Sequence, residues 1–202
     1  MADELRLSEQ EKVRRGKMEE LKTKGLDPFG QKFERTSNSG KIKDAYSECT
    51  KEELEEKNIE VAIAGRIMSK RRQGKIGFMH IQDREGKIQI FMRADSVSEE
   101  DYELFKVADI GDIIGINGIV MKTQTGELSV KATKYTHLTK ALRPLPEKFH
   151  GLQDREEARR RRYVDLIVNE EARKIAYLRP RIIRGLQKYL DDLGSGRSAL
   201  VR

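Results

Sequence analysis

The feature that most constrains this chain is a change of hydrophobic period near residue 59. From there to residue 140, apolar and polar residues alternate in five short segments. Alternation with a period of two is typical of strands with one buried face. The sequences DREG at 83–86 and QTGE at 124–127 predict turns between strands. The segments predicted as strands are 59–68, 77–83, 87–93, 112–123 and 128–140.

A helical segment, residues 98–108, separates the third strand from the fourth. Three strands, a helix and two more strands are the order found in an OB-fold, a five-stranded Greek-key barrel. We therefore predict a mainly β chain of the α+β class, with an OB-fold barrel and helical extensions at both ends. In such barrels the face of strands 2 and 3 receives single-stranded nucleic acid. We also predict a bulge or bend at Gly65 and a positive φ at Gly86, in the hairpin between strands 2 and 3.

The segments that flank the barrel predict helices and connectors. Residues 3–24 predict a helix with a narrow apolar stripe, and residues 31–50 predict an irregular connector. Thr50 is predicted to be the N-cap of a short helix. Residues 141–154 contain prolines and predict an extended tether. Helices follow, and Pro180 is expected to end one and start another. The predicted divisions are 1–58 for the N-terminal extension and connector, 59–141 for the barrel, 142–194 for a linker and incomplete helical region, and 195–202 for a tail.

The overall charge favours a polyanionic partner. The formal net charge is +7 and the sequence pI is about 9.4. Such a chain is attracted to nucleic acid, although an ordinary basic protein has the same charge. The one cysteine, Cys49, excludes an internal disulfide and a Cys-rich zinc site. No apolar run approaches the roughly 18 residues of a membrane span, and the N-terminus is charged, so we expect no transmembrane helix, no secretory signal and a cytoplasmic protein.

Two residues on the predicted binding strands suit base recognition. Phe78 follows Arg71 and Arg72 in the sequence. An aromatic ring surrounded by cations can stack on an unpaired base, which is worth roughly 1–3 kcal/mol per base. The alternative is a phenylalanine of the core, the commoner role in a strand. Gln89 offers a donor and an acceptor together, which suits the edge of uracil; the alternative is an exposed glutamine of the sheet.

Glu127 is a carboxylate in a basic region, directly after the QTG turn. It can accept a hydrogen bond from a base N–H and reject bases that present an acceptor there, or it is a turn residue without such a role. The three histidines are scattered without ligand spacing, and the sequence contains neither a P-loop nor a Rossmann glycine pattern. We therefore expect no catalytic residue, no metal site and no cofactor in this chain.

Four segments have motifs that can be recognised. They are GLDPFGQKFERT at 25–36, VAIAGRIMSKRRQGKIGFMHIQD at 61–83, GDIIGINGIVMKTQTGELSVKAT at 111–133 and LTKALRPLPEKFHGLQDREEARRRRYVDLIVNEEARK at 138–174. They resemble the N-terminal half of bacterial class II lysyl-tRNA synthetases. The last segment distinguishes the lysyl enzymes from their aspartyl and asparaginyl relatives, which share the barrel.

The resemblance implies an OB-fold that binds the tRNA anticodon, whose central base for lysine is uridine. It implies that Phe78 stacks on this uridine, that Gln89 and Glu127 contact its edge, and that Arg71 contacts the same nucleotide region. We expect Arg72 to add non-specific attraction for the RNA backbone. The parent enzyme ligates lysine to its tRNA with ATP and magnesium, and is expected to be a homodimer.

The resemblance ends within motif 1, at Gly194. Motifs 2 and 3, which bind ATP and lysine in the family, do not appear in the sequence, so we expect this chain alone to be inactive as an enzyme. Three other interpretations remain open. One is a general single-stranded nucleic-acid-binding OB-fold protein. Another is part of an intact ligase whose catalytic core is supplied elsewhere, and the third is a dimer scaffold formed by residues 170–193.

Overall fold

The computed structural model describes residues 7–146 and 154–194, and the chain separates into two units at Pro144–Leu145. The first unit contains α1 (Glu9–Thr23), α2 (Ser39–Tyr46), α3 (Lys51–Lys57), β1 (Glu60–Gln73), β2 (Ile76–Gln82), β3 (Lys87–Arg93), a 3-10 turn (Ala94–Ser96), α4 (Glu99–Val107), β4 (Ile113–Lys122) and β5 (Leu128–Thr139). The second contains α5 (Arg155–Arg160), α6 (Arg162–Val168) and α7 (Glu170–Asp192).

The five strands form a closed barrel in the order β1-β2-β3-β5-β4. Every pairing is antiparallel except that of β3 with β5, which is parallel over three residue pairs. The helix α4 lies between β3 and β4 in the sequence. This topology confirms the predicted OB-fold.

The barrel closes around branched aliphatic and methionine side chains, because inward residues alternate with outward ones along each strand. Phe105 of α4 adds its fully buried ring to this core. Its Cζ would lie 2.3 Å from a Cβ built at Gly77, so β2 requires a glycine where the helix packs. The other members of the core that are at most 1% exposed include Ile63, Ile67, Met79, Ile81, Ile90, Met92, Ile114, Ile116 and Val130.

The N-terminal helix is joined to the barrel by polar contacts. Its first turn is stabilised by a capping box in which Ser8 accepts from the backbone of Glu11. The Arg14 guanidinium, 9% exposed, donates to the carbonyls of Ile110 and Ala141 at 3.0 and 2.9 Å. The extension and the barrel are therefore parts of one unit, although residues 3–6 of the predicted helix lie outside the described residues.

A buried ion pair lies beneath this helix. The Lys140 ammonium lies 2.6 Å from Asp109 and 2.7 Å from Asp112, and the side chains of Lys140 and Asp112 are 1% and 0% exposed. Burial alone would raise the pKa of the Asp109 carboxyl. Hydrogen bonds from Lys140 and Lys17 outweigh this effect and hold that pKa below its ordinary value. The Asp109 carboxyl thus remains ionised at neutral pH, and Lys140 pairs with both carboxylates.

Two predictions about glycines are wrong. The irregular pairing of β1 with β2 lies between Ile67 and Ser69, not at Gly65. Gly65 instead permits close approach, since a Cβ there would lie 2.9 Å from a backbone oxygen of β2. Gly86 does not have a positive φ. The Asp83 carboxylate holds this turn by accepting from the backbone N–H groups of residues 85 and 86 at 2.9 Å.

Two further predictions about helices are corrected. The connector contains α2, which Asn38 N-caps and which buries Ile42 completely. Pro180 lies inside the continuous helix α7, which begins after the N-cap Asn169. A proline costs about 3 kcal/mol or more in a helix interior. Pro180 nevertheless does not end the helix, which has 23 residues and continues to Asp192. Only residues 141–146 and 154 of the predicted tether belong to the described residues.

Removing the Lys140 ammonium leaves a buried carboxylate without its charged partner. We predict that Lys140→Met lowers the free energy of unfolding by about 3–5 kcal/mol. Urea unfolding followed by far-ultraviolet circular dichroism measures this change. Lys12→Met is the matched control, because its pair with Glu9 is 53% and 86% exposed. The control should change stability by less than about 1 kcal/mol. Equal small effects of both substitutions would contradict the importance of the buried pair.

Candidate nucleic-acid interface

Strand register places a row of aromatic and basic side chains across the outer surface of the barrel. Antiparallel pairing sets Arg71 opposite Phe78, and Phe78 opposite Phe91. Parallel pairing of β3 with β5 adds Lys131 beside Phe91. The residues that alternate with this row on β2, β3 and β5 are fully buried in the core, so the row faces outward. We call Arg71, Phe78, Phe91 and Lys131 the aromatic row.

A second row lies two residues further along the same strands and consists of polar side chains. Pairing sets Ser69 opposite His80, His80 opposite Gln89, and Gln89 beside Ser129. We call Ser69, His80, Gln89 and Ser129 the polar row. The two rows share one face, because residues two apart on a strand point the same way.

The two phenylalanines of the aromatic row pack together. Their ring centroids are 5.2 Å apart and the ring planes are tilted by 47°. Both rings are partly exposed, so Phe78 is a surface residue rather than part of the barrel core. Within the described residues, the side chains of Arg71 and Lys131 form no ion pair. An aromatic pair between two unpaired cations can stack on a base and attract the adjoining phosphates.

Hydrogen bonds connect the polar row to Glu127. The Gln89 amide donates to Glu127 Oε2 at 2.7 Å, and His80 Nε2 lies 3.0 Å from Glu127 Oε1. Ser129 Oγ donates to Gln89 Oε1 at 2.8 Å, and Ser69 Oγ lies 3.0 Å from His80 Nδ1. Every member therefore contacts a neighbour before any ligand is bound.

Exposure differs sharply within this network. Gln89 is only 5% exposed, whereas the side chain of Glu127 is 48% exposed. The β4–β5 turn presents Glu127, and its backbone N–H donates to Thr123 Oγ1 at 3.1 Å. Gly126 has a φ of 81° in this turn, which confirms that QTGE is a turn. The carboxylate is thus the most accessible acceptor of the network, and Gln89 lies beneath it.

The bulge in β1 decides which of the neighbouring cations reaches this surface. Ile67 faces the core. Strict alternation from there would direct the even-numbered residues of β1 outward, and Arg72 is one of them. The register shift between Ile67 and Ser69 reverses that alternation, so Arg71 pairs with Phe78. Arg72 pairs with Gly77 and is directed to the opposite face of the strand. The structure therefore separates Arg72 from the predicted group that it brings together, which is Phe78, Gln89, Glu127 and Arg71.

Residues 61–138, which comprise nearly all of this barrel, match the tRNA anticodon family model, described as an OB-fold nucleic acid binding domain. The barrel is similar to OB-fold nucleic acid binding domains. This similarity agrees with its closed five-stranded topology.

Bacterial lysine–tRNA ligases are similar to nearly the whole chain. The enzyme of Bacillus subtilis is 56% identical over 188 residues, that of Streptococcus mutans 55% and that of Bacillus cytotoxicus 56%. Each match covers 93% of this chain and 38% of the relative, at its N-terminal end. The chain thus spans less than half the length of these relatives. The resemblance that the sequence motifs indicated is confirmed.

Sequence reasoning missed five residues of the aromatic row and the polar row. Ser69, His80 and Phe91 are each two positions from a predicted residue on the same strand, so alternation alone could have indicated them. Ser129 and Lys131 could not be found in this way. Their place beside Gln89 and Phe91 depends on the parallel pairing of β3 with β5.

None of the helices in residues 7–146 and 154–194 is long and apolar enough to cross a membrane. Within the same ranges, no cluster of three or more histidine, cysteine, aspartate or glutamate side chains could hold a metal ion.

Lys70, next to Arg71, is turned away from the aromatic row. Its ammonium donates to three backbone carbonyls at the end of α4 at 2.6–3.0 Å. Burial lowers the pKa of Lys70 to about 8. Lys70 therefore supports the helix and is not available to a ligand.

The lowered pKa of Lys70 predicts a pH dependence of stability. Between about pH 8 and pH 10.5 the unfolded chain binds this proton more strongly than the folded chain. The free energy of unfolding should therefore rise with pH in this window, relative to Lys70→Met. Urea unfolding of both proteins across the window measures the difference. Parallel pH profiles, or a relative fall for the wild type, would refute this prediction.

Proposed function

We propose that the OB domain binds the anticodon loop of a tRNA that has a central uridine, as part of a lysyl-tRNA synthetase. The observation that supports this most directly is the position of Glu127. Its carboxylate accepts from Gln89 of the polar row, which shares a face with two outward phenylalanines and with two cations that form no ion pair within the described residues. Stacking, base identity and phosphate attraction thus have separate side chains within one surface.

In this proposal Phe78 stacks on the central uridine. Its ring is partly exposed, and Phe91 supports it from the neighbouring strand. Stacking on a phenyl ring tolerates any base, so Phe78 provides affinity and does not select uridine. Arg71 and Lys131, at the two ends of the aromatic row, attract the phosphates on either side.

Base identity in this proposal depends on Glu127 and Gln89. The carboxylate only accepts hydrogen bonds, so it suits the N3–H of uridine and opposes the N3 acceptor of cytidine. Gln89 is largely buried and donates one amide hydrogen to Glu127, which leaves a second amide hydrogen for a carbonyl of the base. A barrel that bound any single strand would need only the aromatic row. Preference for uridine over cytidine therefore distinguishes anticodon recognition from general single-strand binding.

The longer relatives also carry motifs 2 and 3 of the family. We propose that these motifs bind ATP and magnesium for aminoacylation, and that the OB domain itself binds no cofactor. A cytoplasmic location is consistent with this role. An exposed apolar stripe on α7 supports a homodimer, since such a stripe is typical of a helix that packs against a partner. Its residues, the last of which is the C-cap that follows α7, are 48–63% exposed: Ile175, Leu178, Ile182, Leu186, Tyr189 and Leu193.

Truncating Phe78 tests the stacking role. Phe78→Ala should weaken binding to an anticodon stem-loop by about 1–3 kcal/mol. Because the ring lies on the surface, the melting temperature should change little. Fluorescence anisotropy with a labelled stem-loop measures affinity, and circular dichroism measures melting. Unchanged affinity would show that no base stacks on Phe78, and a large fall in melting temperature would show that the ring is structural.

Arg71 and Arg72 form a matched pair for testing the surface itself. Both are exposed, adjacent and equally charged, but only Arg71 lies beside Phe78. Arg71→Ala should flatten the dependence of log affinity on log salt by about 0.7, the value for one neutralised phosphate of a single strand. Arg72→Ala should flatten it less. An equal or larger effect at Arg72 would place the RNA on a different face.

A further inference from the structure

His80 occupies the centre of the polar network, yet the functions assigned above do not use it. It lies on β2, between Ser69 of β1 and Glu127 of the β4–β5 turn. Its side chain is 30% exposed, so it belongs to the surface on which Glu127 is presented. Each ring nitrogen has one partner, at 3.0 Å in both cases.

The direction of each hydrogen bond follows from the acceptor-only character of the carboxylate. Glu127 Oε1 requires a hydrogen on His80 Nε2, since an ionised carboxylate cannot donate. In the neutral ring, Nδ1 then accepts, and the hydroxyl of Ser69 supplies the donor. On the other side, Ser129 donates to Gln89 Oε1, which turns the amide nitrogen of Gln89 towards Glu127 Oε2.

Each oxygen of the Glu127 carboxylate thus has one donor from a different strand. His80 of β2 holds Oε1 and Gln89 of β3 holds Oε2. Two donors fix both the position and the rotation of a carboxylate, whereas one donor leaves it free to turn about that single bond. This constraint matters because Glu127 extends from a turn and is 48% exposed.

We propose that His80 is a positioning residue that determines the base specificity of this surface. By donating to Oε1, it holds the Glu127 carboxylate with a remaining lone pair towards the N3–H of a stacked uridine. Ser69 fixes the ring and its tautomer. The proposal rests on the proposed recognition of a central uridine, and it adds that the selectivity of Glu127 depends on a histidine that contacts no base.

The test uses two anticodon stem-loops that differ only in a central uridine or cytidine. The ratio of their dissociation constants is measured for the full chain and for three variants. His80→Phe keeps a ring without a donor and should narrow the ratio by roughly tenfold, as expected for a lost hydrogen bond to a charged group. His80→Gln restores an N–H donor and should recover most of the ratio. Glu34→Gln is the control for the Glu127→Gln variant of the next experiment, because it removes the same negative charge from an exposed site outside the network.

A double substitution shows whether His80 acts through Glu127. If it does, adding His80→Phe to Glu127→Gln should not narrow the ratio further. A general structural role would instead weaken binding of both stem-loops alike and leave the ratio unchanged. An unchanged ratio in a His80→Phe protein with normal melting would overturn the proposal, as would additive effects in the double variant.

The free protein offers a readout that does not depend on RNA or on a variant that folds. Nitrogen-15 chemical shifts of the His80 ring should show the hydrogen on Nε2. A hydrogen on Nδ1 alone would exclude the donation to Glu127 and overturn the proposal. If instead the wild type does not distinguish uridine from cytidine, the proposed uridine recognition fails, and this outcome is distinct from a failure at His80 alone.

Discussion

The parallel pairing of β3 with β5 is the contact on which the surface depends. It spans only three residue pairs, yet it closes the barrel and joins the N-terminal strands to the C-terminal hairpin. Through it, Lys131 extends the aromatic row and Ser129 fixes the amide of Gln89. The same pairing brings Glu127, in the turn just before β5, above Gln89. An open sheet of the same strands would still pair Phe78 with Phe91 but would not bring the Glu127 carboxylate to Gln89.

Electrostatic roles are divided between the interior and the surface. The ion pairs of Lys140 and the inward turn of Lys70 serve the fold, because these cations are buried against carboxylates or helix carbonyls. Arg71 and Lys131 are left without ion pairs within the described residues. A net charge of +7 therefore does not by itself locate the interface. The proposed location rests instead on Arg71 and Lys131, which lie beside the two phenylalanines and form no ion pair within the described residues.

Much of the fold could be predicted from local patterns, whereas the arrangement of the site could not. Period-two alternation indicated the five strands, and their order around α4 indicated the barrel. Phe78 and Gln89 stood out because of their chemistry, and they do lie on one surface. Arg72 was grouped with Arg71 because neighbouring charges look equivalent in a sequence. Alternation places these neighbours on opposite faces of β1, and the one-residue bulge between Ile67 and Ser69 decides that Arg71 is the one beside Phe78. Nothing in the local pattern indicates the position of that bulge.

The same limit applies to the polar network. His80 looked like an isolated histidine because its partners lie 11 and 47 residues away in the chain. Glu127 looked like an ordinary turn residue for the same reason. Hydrogen bonds between distant segments bring both residues into the polar network, and the chemistry of the side chains alone does not predict these contacts. The roles of these residues towards RNA are predictions.

The most direct test of the central claim is the location of the RNA on the barrel. A nitrogen-15-labelled sample titrated with an anticodon stem-loop that has a central uridine would show it by backbone chemical-shift changes. If the proposed interface is correct, the largest changes fall on the aromatic row, the polar row and the β4–β5 turn. Changes concentrated instead around Ala62, Asn117 and Thr133, which line a different part of the barrel surface, would contradict it.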